Sequence, residues 1–151
     1  MSSINKHNLV RRFMEAFGQD TPEKQTLPSP ETIRLRVELI LEEAQELGAS
    51  EDLTDYLDAV VDLLYVVYGA GLAAGFSSKE IDSAFLEVHN SNMSKFWTND
   101  EKLSHEKYSG LLTFTPCNDR WVARNKAGKV IKSPSYQPAR LAQFIDSKTG
   151  Q

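Results

Sequence analysis

From Tyr56 to Tyr68 the chain reads Tyr-Leu-Asp-Ala-Val-Val-Asp-Leu-Leu-Tyr-Val-Val-Tyr. Wound at 100° per residue, this segment is apolar on nearly every side, the pattern of a buried helix. It begins near Ser50-Glu51-Asp52-Leu53 and continues to about Ala70 or Ala74, where Gly69, Gly71 and Gly75 weaken its end. A small domain can house such a helix only by packing other helices around it. Asp58 and Asp62 interrupt it one turn apart on the same face, and Asp55 extends their stripe. Stripping water from a lone carboxylate costs several kcal/mol, so buried aspartates imply a cation or hydrogen-bonding partner.

The surroundings sharpen that requirement. Glu38 to Asp62 holds nine carboxylates and no Lys or Arg, although the whole chain has 21 acids and 17 bases. Ser29-Pro30-Glu31 has the order of a helix cap, a first-turn proline and a favourable acid. It predicts a helix from Pro30 to Leu47, ended by Gly48. Glu38, Glu42 and Glu46 form one stripe on it, with Glu43 on the flank. Alone, that stripe reads equally well as a solvated face. Facing the aspartates of the next helix, it points to a metal, the alternative being a base reaching in from elsewhere. Oxygen donors favour Mg²⁺, Mn²⁺ or Ca²⁺ over zinc. The EF-hand pattern is absent, as are the Glu-x-x-His pairs of a di-iron bundle. His7, His89 and His105 lie outside the acidic helices. Mg²⁺ commonly binds through a few carboxylates together with substrate phosphates, which suggests a nucleotide or another polyphosphate.

The rest of the chain predicts a first helix over Ile4–Phe17 and an ordered, proline-bearing loop over Asp20–Pro30. Ser77 and Glu80 suggest a capping box for a fourth helix reaching about Phe96. Beyond Trp97, Leu111–Thr115 suggests a strand, and Asn125-Lys126-Ala127-Gly128 the turn of a hairpin between Trp121–Arg124 and Lys129–Ile131. Pro134 and Pro138 should keep the tail extended. The expected fold is therefore an all-α, antiparallel four-helix core, residues 1–97. A C-terminal extension with a β-hairpin, residues 98–151, packs on the core or on a neighbouring subunit. No apolar run approaches a membrane span, the opening residues suggest no leader, and a single cysteine excludes an internal disulfide. A cytoplasmic location is the expectation. From Lys102 onward nine bases face three acids, but they are scattered, so neither nucleic acid nor membrane is expected as a partner.

Glu42-Glu43-x-x-Glu46, then an acidic stretch ending at Asp62 and followed by Leu-Leu-Tyr, resembles the all-α nucleoside triphosphate pyrophosphohydrolases of the MazG and phosphoribosyl-ATP pyrophosphohydrolase type. Asn92-Met93-Ser94-Lys95-Phe96 is similar to that family's Asn-x-x-Lys-Phe segment. Val88 to Lys95 and Gly128 to Tyr136 resemble elements of compact single-domain members from phages and bacteria. The resemblance covers about Leu9 to Phe96. It departs where the family places an acid three residues before Asp62, since Ala59 stands there. Asp55 or Asp58 could supply the missing ligand.

The resemblance implies metal-dependent hydrolysis of a (d)NTP to (d)NMP and pyrophosphate, with some preference for (d)GTP. It places Glu43, Glu46, Asp58 and Asp62 on Mg²⁺ or Mn²⁺, and Glu42, Glu43, Glu46 and Asp62 in catalysis. Asn92 and Lys95 would contact substrate. Phe13 and Phe17 with Arg12 would line a base pocket, or the phenylalanines would be plain core. A homodimer or homotetramer is implied, in the host cytoplasm if the gene is a phage's. Two alternatives stay open, a phosphoribosyl-ATP pyrophosphohydrolase and a non-catalytic helical module binding through its acidic patch.

Overall fold

The structure, a computed structural model, describes residues 4–146. It is mainly helical, with a small antiparallel hairpin near its C-terminal end. Packing divides it into two compact units. One runs up to Asp82 and regains the chain at Phe144; the other is Ser83–Gln143. The boundary falls inside a helix, and the division expected after residue 97 lies within the second unit.

The first unit is built on α1 (Lys6–Ala16), α2 (Pro30–Ala49) and α3 (Leu53–Ala73). Each starts on a side chain that occupies an orphan backbone N–H: Asn5 for α1, Ser29 for α2 and Asp52 for α3. Helix α3 packs against both α1 and α2. Its core is small, with Val10, Met14 and Leu72 fully buried and Tyr65 and Tyr68 packed on them. The loop between α1 and α2 is pinned by buried Gln25. Its amide donates to Glu80 Oε1 and to the Phe144 carbonyl, both at 2.8 Å, and its oxygen accepts from Asp146 N at 2.9 Å.

The buried helix foreseen over Tyr56–Tyr68 is not buried by this chain. Of α3, only Ala59, Gly69, Leu72 and Ala73 are buried. Leu53, Leu57, Val61, Leu64 and Val67 are about half exposed or more. At 100° per residue those five fall within an arc of about 120°, whereas Asp62, Tyr65, Val66 and Gly69 lie on the opposite side. Apolarity all round thus reflects one side packed within the chain and another left uncovered. A second expectation also needs correction: Leu53–Ala73, 21 residues long with an 18-residue stretch of mean hydropathy 1.4, is by length and composition able to cross a membrane. Asp58 and Asp62 argue against it physically, since an aspartate at the centre of a spanning helix costs about 3 kcal/mol.

Helix α4 (Ser78–Met93) crosses the unit boundary and stops three residues short of Phe96. The second unit then adds α5 (Asn99–Tyr108), which the sequence did not suggest, opened by a Thr98–Glu101 capping box. Strands β1 (Thr113–Cys117) and β2 (Arg120–Arg124) pair antiparallel around Asn118, whose φ of 55° suits a tight turn. The hairpin therefore lies one strand earlier than expected. The anticipated turn at Asn125–Gly128 does form, but its outgoing arm makes only a single bridge, Arg124 with Val130. Trp97 organises this unit. Its backbone exchanges two 2.9 Å hydrogen bonds with Trp121, and its indole donates to the Ile131 carbonyl at 3.0 Å. Rings of His105 and Phe114 stand edge-on to it.

Candidate functional site

Helices α2 and α3 run antiparallel, and the side chains between them form a ladder. Glu43 on α2 and Asp62 on α3 share the wall of a cavity of about 330 Å³. Seven residues before Glu43 stands Arg36, and seven after Asp62 stands Gly69, both lining the same cavity. Seven residues are nearly two helical turns, about 10 Å, so the two pairs mark opposite ends of one groove. Between them lie Tyr65 and Phe13, edge to face at 5.6 Å.

The acidic end is electrostatically strained. Burial pushes the Glu43 carboxyl above the ordinary glutamate range, and repulsion from Glu46, Asp62, Glu42 and Asp58 adds to it. No base is among the charges acting on it. Glu43 Oε2 is buried and has no hydrogen-bond partner. A deprotonated carboxylate left in that state lacks the hydrogen bonds that buried oxygens normally make. Among the described residues, no three acids, histidines or cysteines converge as a ready-made metal cage. The donor set itself suits a hard divalent cation: all oxygens, one of them orphaned, with carboxylates on two facing helices.

The structure therefore brings Glu43 and Asp62 to one cavity. Glu42, Glu46 and Asp58 are exposed and close enough to act on Glu43. Glu38 and Asp55 are not among its perturbers; Asp55 accepts weakly from Glu51 N at 3.4 Å near the start of α3. Of the aromatic candidates, Phe13 lines the cavity, and Phe17 stacks on Phe13 at 4.5 Å without lining it. Arg12 is exposed and does not line it either.

Asn92 and Lys95 belong to the second unit. There Lys95 Nζ donates to Asn92 Oδ1 at 2.7 Å, and both border a cavity of about 350 Å³ with Phe96, Val122, Arg124 and Val130. The two motif stretches singled out in the sequence, Val88–Lys95 and Gly128–Tyr136, are tied together here. Ser133 Oγ donates to the Ser94 carbonyl, Ser91 Oγ to the Tyr136 hydroxyl, and Gln137 N to Ser94 Oγ. That phenol is held below the usual tyrosine range, first by the Ser91 hydrogen bond and further by Lys132 and Lys95.

Arg36, Gln19, Tyr65 and Gly69 were not legible as site residues in the sequence, where Tyr65 only completed Leu-Leu-Tyr and Gly69 only marked a helix end. The signal for two of them was the seven-residue spacing from Glu43 and Asp62, legible only once the helices are known to be antiparallel.

Residues 10–92, more than half of the chain, match the family model of phosphoribosyl-ATP pyrophosphohydrolase. A stretch of 52 residues is 44% identical to an uncharacterized protein of Acanthamoeba polyphaga mimivirus. It covers 32% of this chain and 21% of that relative, so the chain matches about a fifth of the viral protein's length. Lys95 lies just beyond the family match, which takes in the acids of α2, the aspartate face of α3 and α4 as far as Asn92. The chain belongs to the phosphoribosyl-ATP pyrophosphohydrolase family.

Proposed function

We propose that this protein is a divalent-metal-dependent pyrophosphohydrolase that cleaves a nucleoside triphosphate, a (d)NTP, to the monophosphate and pyrophosphate. The observation carrying this reading is half-buried Glu43, one carboxylate oxygen of which is buried and unpartnered, repelled by four other carboxylates beside an aromatic-walled cavity. A carboxylate set so arranged is satisfied by a cation that also accepts phosphate oxygens. Glu43, Glu46, Asp62 and Asp58 would hold Mg²⁺ or Mn²⁺, with Asp58 supplying the acid that Ala59 lacks. When bound, the metal neutralises charge on the phosphates and lowers the pKa of coordinated water. Glu42, solvent-exposed and outside that ligand set, would accept a proton from the attacking water. Water adds to one phosphorus, the anhydride oxygen leaves with its electron pair, and one proton is released. Phe13 and Tyr65 offer flat apolar surface for a nucleobase. Two or more copies of the chain would cover the exposed face of α3.

A second reading, phosphoribosyl-ATP as substrate, is favoured by the match of residues 10–92 to the phosphoribosyl-ATP pyrophosphohydrolase family. One assay separates the two. Purified protein with Mg²⁺ is given each common (d)NTP and phosphoribosyl-ATP, and nucleoside monophosphate and pyrophosphate are quantified. Turnover of one or more (d)NTPs above phosphoribosyl-ATP supports the first reading, and the reverse order supports the second. No turnover of any, by protein of intact helicity, leaves only a binding role for the acidic patch.

A further inference from the structure

The cavity of the second unit is walled by cations rather than acids. Strands β1 and β2 give the hairpin two faces, since alternate residues point to opposite sides. Phe114 and buried Ala123 pair on the inner face, where Phe114 stands edge-on to Trp97. Val122 and Arg124 lie on the other face, with Val130 bridged to Arg124. Asn92, Lys95 and Phe96, from the end of α4 and just beyond it, complete the wall of about 350 Å³ of space. Arg124 is half-buried there, and its guanidinium makes no hydrogen bond or ion pair among the described residues. Lys95, also half-buried, is held by the Asn92 oxygen at 2.7 Å, which leaves the Asn92 amide nitrogen and the other ammonium protons as donors. No carboxylate lines the cavity. From Ser109 to Gln143 the chain has one acid, Asp119 in the hairpin turn, against six bases. The Tyr136 phenol feels the same field: lowered first by the Ser91 hydrogen bond, it is lowered further by Lys132 and Lys95, with no acid among the charges acting on it.

A guanidinium partly withdrawn from water and left without a partner is satisfied by two oxygens of one anion. Lys95 sets a second positive charge on the same wall. The pair matches a phosphate monoester, which carries close to two negative charges at neutral pH and three terminal oxygens. A carboxylate, with one charge and two oxygens, would fill the Arg124 fork and leave Lys95 unneutralised. The rest of the wall is largely apolar, with Phe96, Val122 and Val130, and suits a flat hydrocarbon or heterocyclic body. Its volume lies at the low end of small-molecule sites, room for one or two rings and not for a length of polymer. We propose that this cavity is a metal-free binding site for a phosphate monoester with a flat apolar body, held by Arg124 and Lys95. A nucleoside monophosphate or a smaller aromatic phosphate would supply that chemistry. The hairpin residues that build the site lie beyond residues 10–92, the part matched to the family. The site does not depend on the pyrophosphohydrolase reading: the acids of α2 and α3 accept phosphate only through a cation, whereas Arg124 and Lys95 accept it directly. Arg120, on the same strand face and about 13 Å along it, does not line the cavity, so a ligand confined there does not use it.

The test is titration calorimetry of the full chain in EDTA with phenyl phosphate, adenosine monophosphate, adenosine, benzoate and a short single-stranded oligodeoxynucleotide. Wild type is compared with Arg124→Gln, Arg124→Lys, Lys95→Gln, Arg120→Gln and Glu43→Gln, each checked for helicity and melting temperature. At least one monoester should bind at one site per chain, with adenosine and benzoate about tenfold weaker or more, since each lacks the phosphate. The tighter of the two monoesters tells a nucleotide from a smaller aromatic phosphate. Arg124→Gln and Lys95→Gln should each weaken it by about tenfold to a hundredfold, the worth of charge-assisted hydrogen bonds. Arg124→Lys keeps the charge without the fork and should lose less than Arg124→Gln. Arg120→Gln and Glu43→Gln should change the affinity less than about threefold, well under that loss. Failure of folded wild type to bind either monoester would overturn the inference. So would tighter binding of the oligonucleotide with equal losses at Arg120 and Arg124, which would make the hairpin face a polyanion surface. Binding that appears only with Mg²⁺ and is lost in Glu43→Gln would assign Arg124 and Lys95 to the acidic groove, overturning the metal-free site and supporting the pyrophosphohydrolase reading.

Discussion

Glu43 concentrates the conflict that the site is built around. Its carboxyl is raised above the ordinary range by burial first and by four neighbouring acids second. Without metal, the native state thus holds on to a proton that the unfolded chain would release. Stability of the metal-free protein should therefore fall as pH rises from the ordinary glutamate range through the raised native value, and stay lowered above it. Glu43→Gln removes the charge while keeping the shape. In EDTA at neutral pH this variant should melt about 2–4 °C higher, the shift that ~1 kcal/mol gives a chain of this size. Its pyrophosphohydrolase activity should drop by orders of magnitude, and Mg²⁺ should no longer raise its melting temperature. A lower melting point in EDTA would mean that Glu43 is stabilising as it stands. The acids were legible in the sequence because a charge inside an apolar run is conspicuous without any structure. Arg36 was not, because beside Arg34 it looks like any base on a helix. What sets it apart is the missing side chain at Gly69, on another helix and 33 positions away.

At the scale of elements, the end of α3 shows how a local rule becomes a tertiary one. Gly75 has φ +77°, and a Cβ there would collide with the backbone carbonyl of Lys24. The contact is close because Thr26 N donates to the Ala74 carbonyl at 3.0 Å, pinning the α1–α2 loop against the helix end. Gly75→Ala must strain its own backbone and also displace a main chain, which should cost at least about 2 kcal/mol. Gly18, at φ +70° with nothing within 4 Å, isolates the conformational part. Gly18→Ala should cost only about 1 kcal/mol. Thermal melts of the two variants check the difference; equal losses would show that the Lys24 contact yields easily. Helix caps were readable because they depend on neighbours in sequence, which is why α2 begins at Pro30 as anticipated, whereas Gly48, expected to end α2, lies inside it and the helix runs on to Ala49. Helix α5 escaped because its side chains carry no apolar stripe; only Thr98 and Glu101 announced it. The hairpin was displaced because Asn125–Gly128 is the stronger turn signal, while the tight turn forms at Asn118–Asp119, fixed by pairing of Phe114 with Ala123.

On the scale of the whole molecule, the decisive feature is how little apolar surface one chain covers. Leu53 is 84% exposed, Leu57 62%, and Val61, Leu64 and Val67 about half, all on the side of α3 away from Asp62. Each such side chain that is fully covered contributes about 1.5–3 kcal/mol, so leaving five of them wet is a large unclaimed stabilisation. A second copy of the chain is the cover we propose, because a symmetric pairing sets the same stripe against itself. Lipid is the competing cover, opposed by Asp58 and Asp62 on the same helix. Sedimentation at micromolar concentration should give a multiple of the 17.0 kDa chain mass. The melting temperature should rise with protein concentration, as it does when folding and association are coupled. Leu57→Glu with Leu64→Glu places two charges in the stripe without touching the groove that holds Glu43. That double variant should sediment as a monomer and melt lower than wild type. A wild-type chain that is monomeric and of concentration-independent stability would remove the self-association argument. If it then floated with phospholipid vesicles, the stripe would be a lipid contact, and the aspartates would have to be neutralised there by metal or by protons.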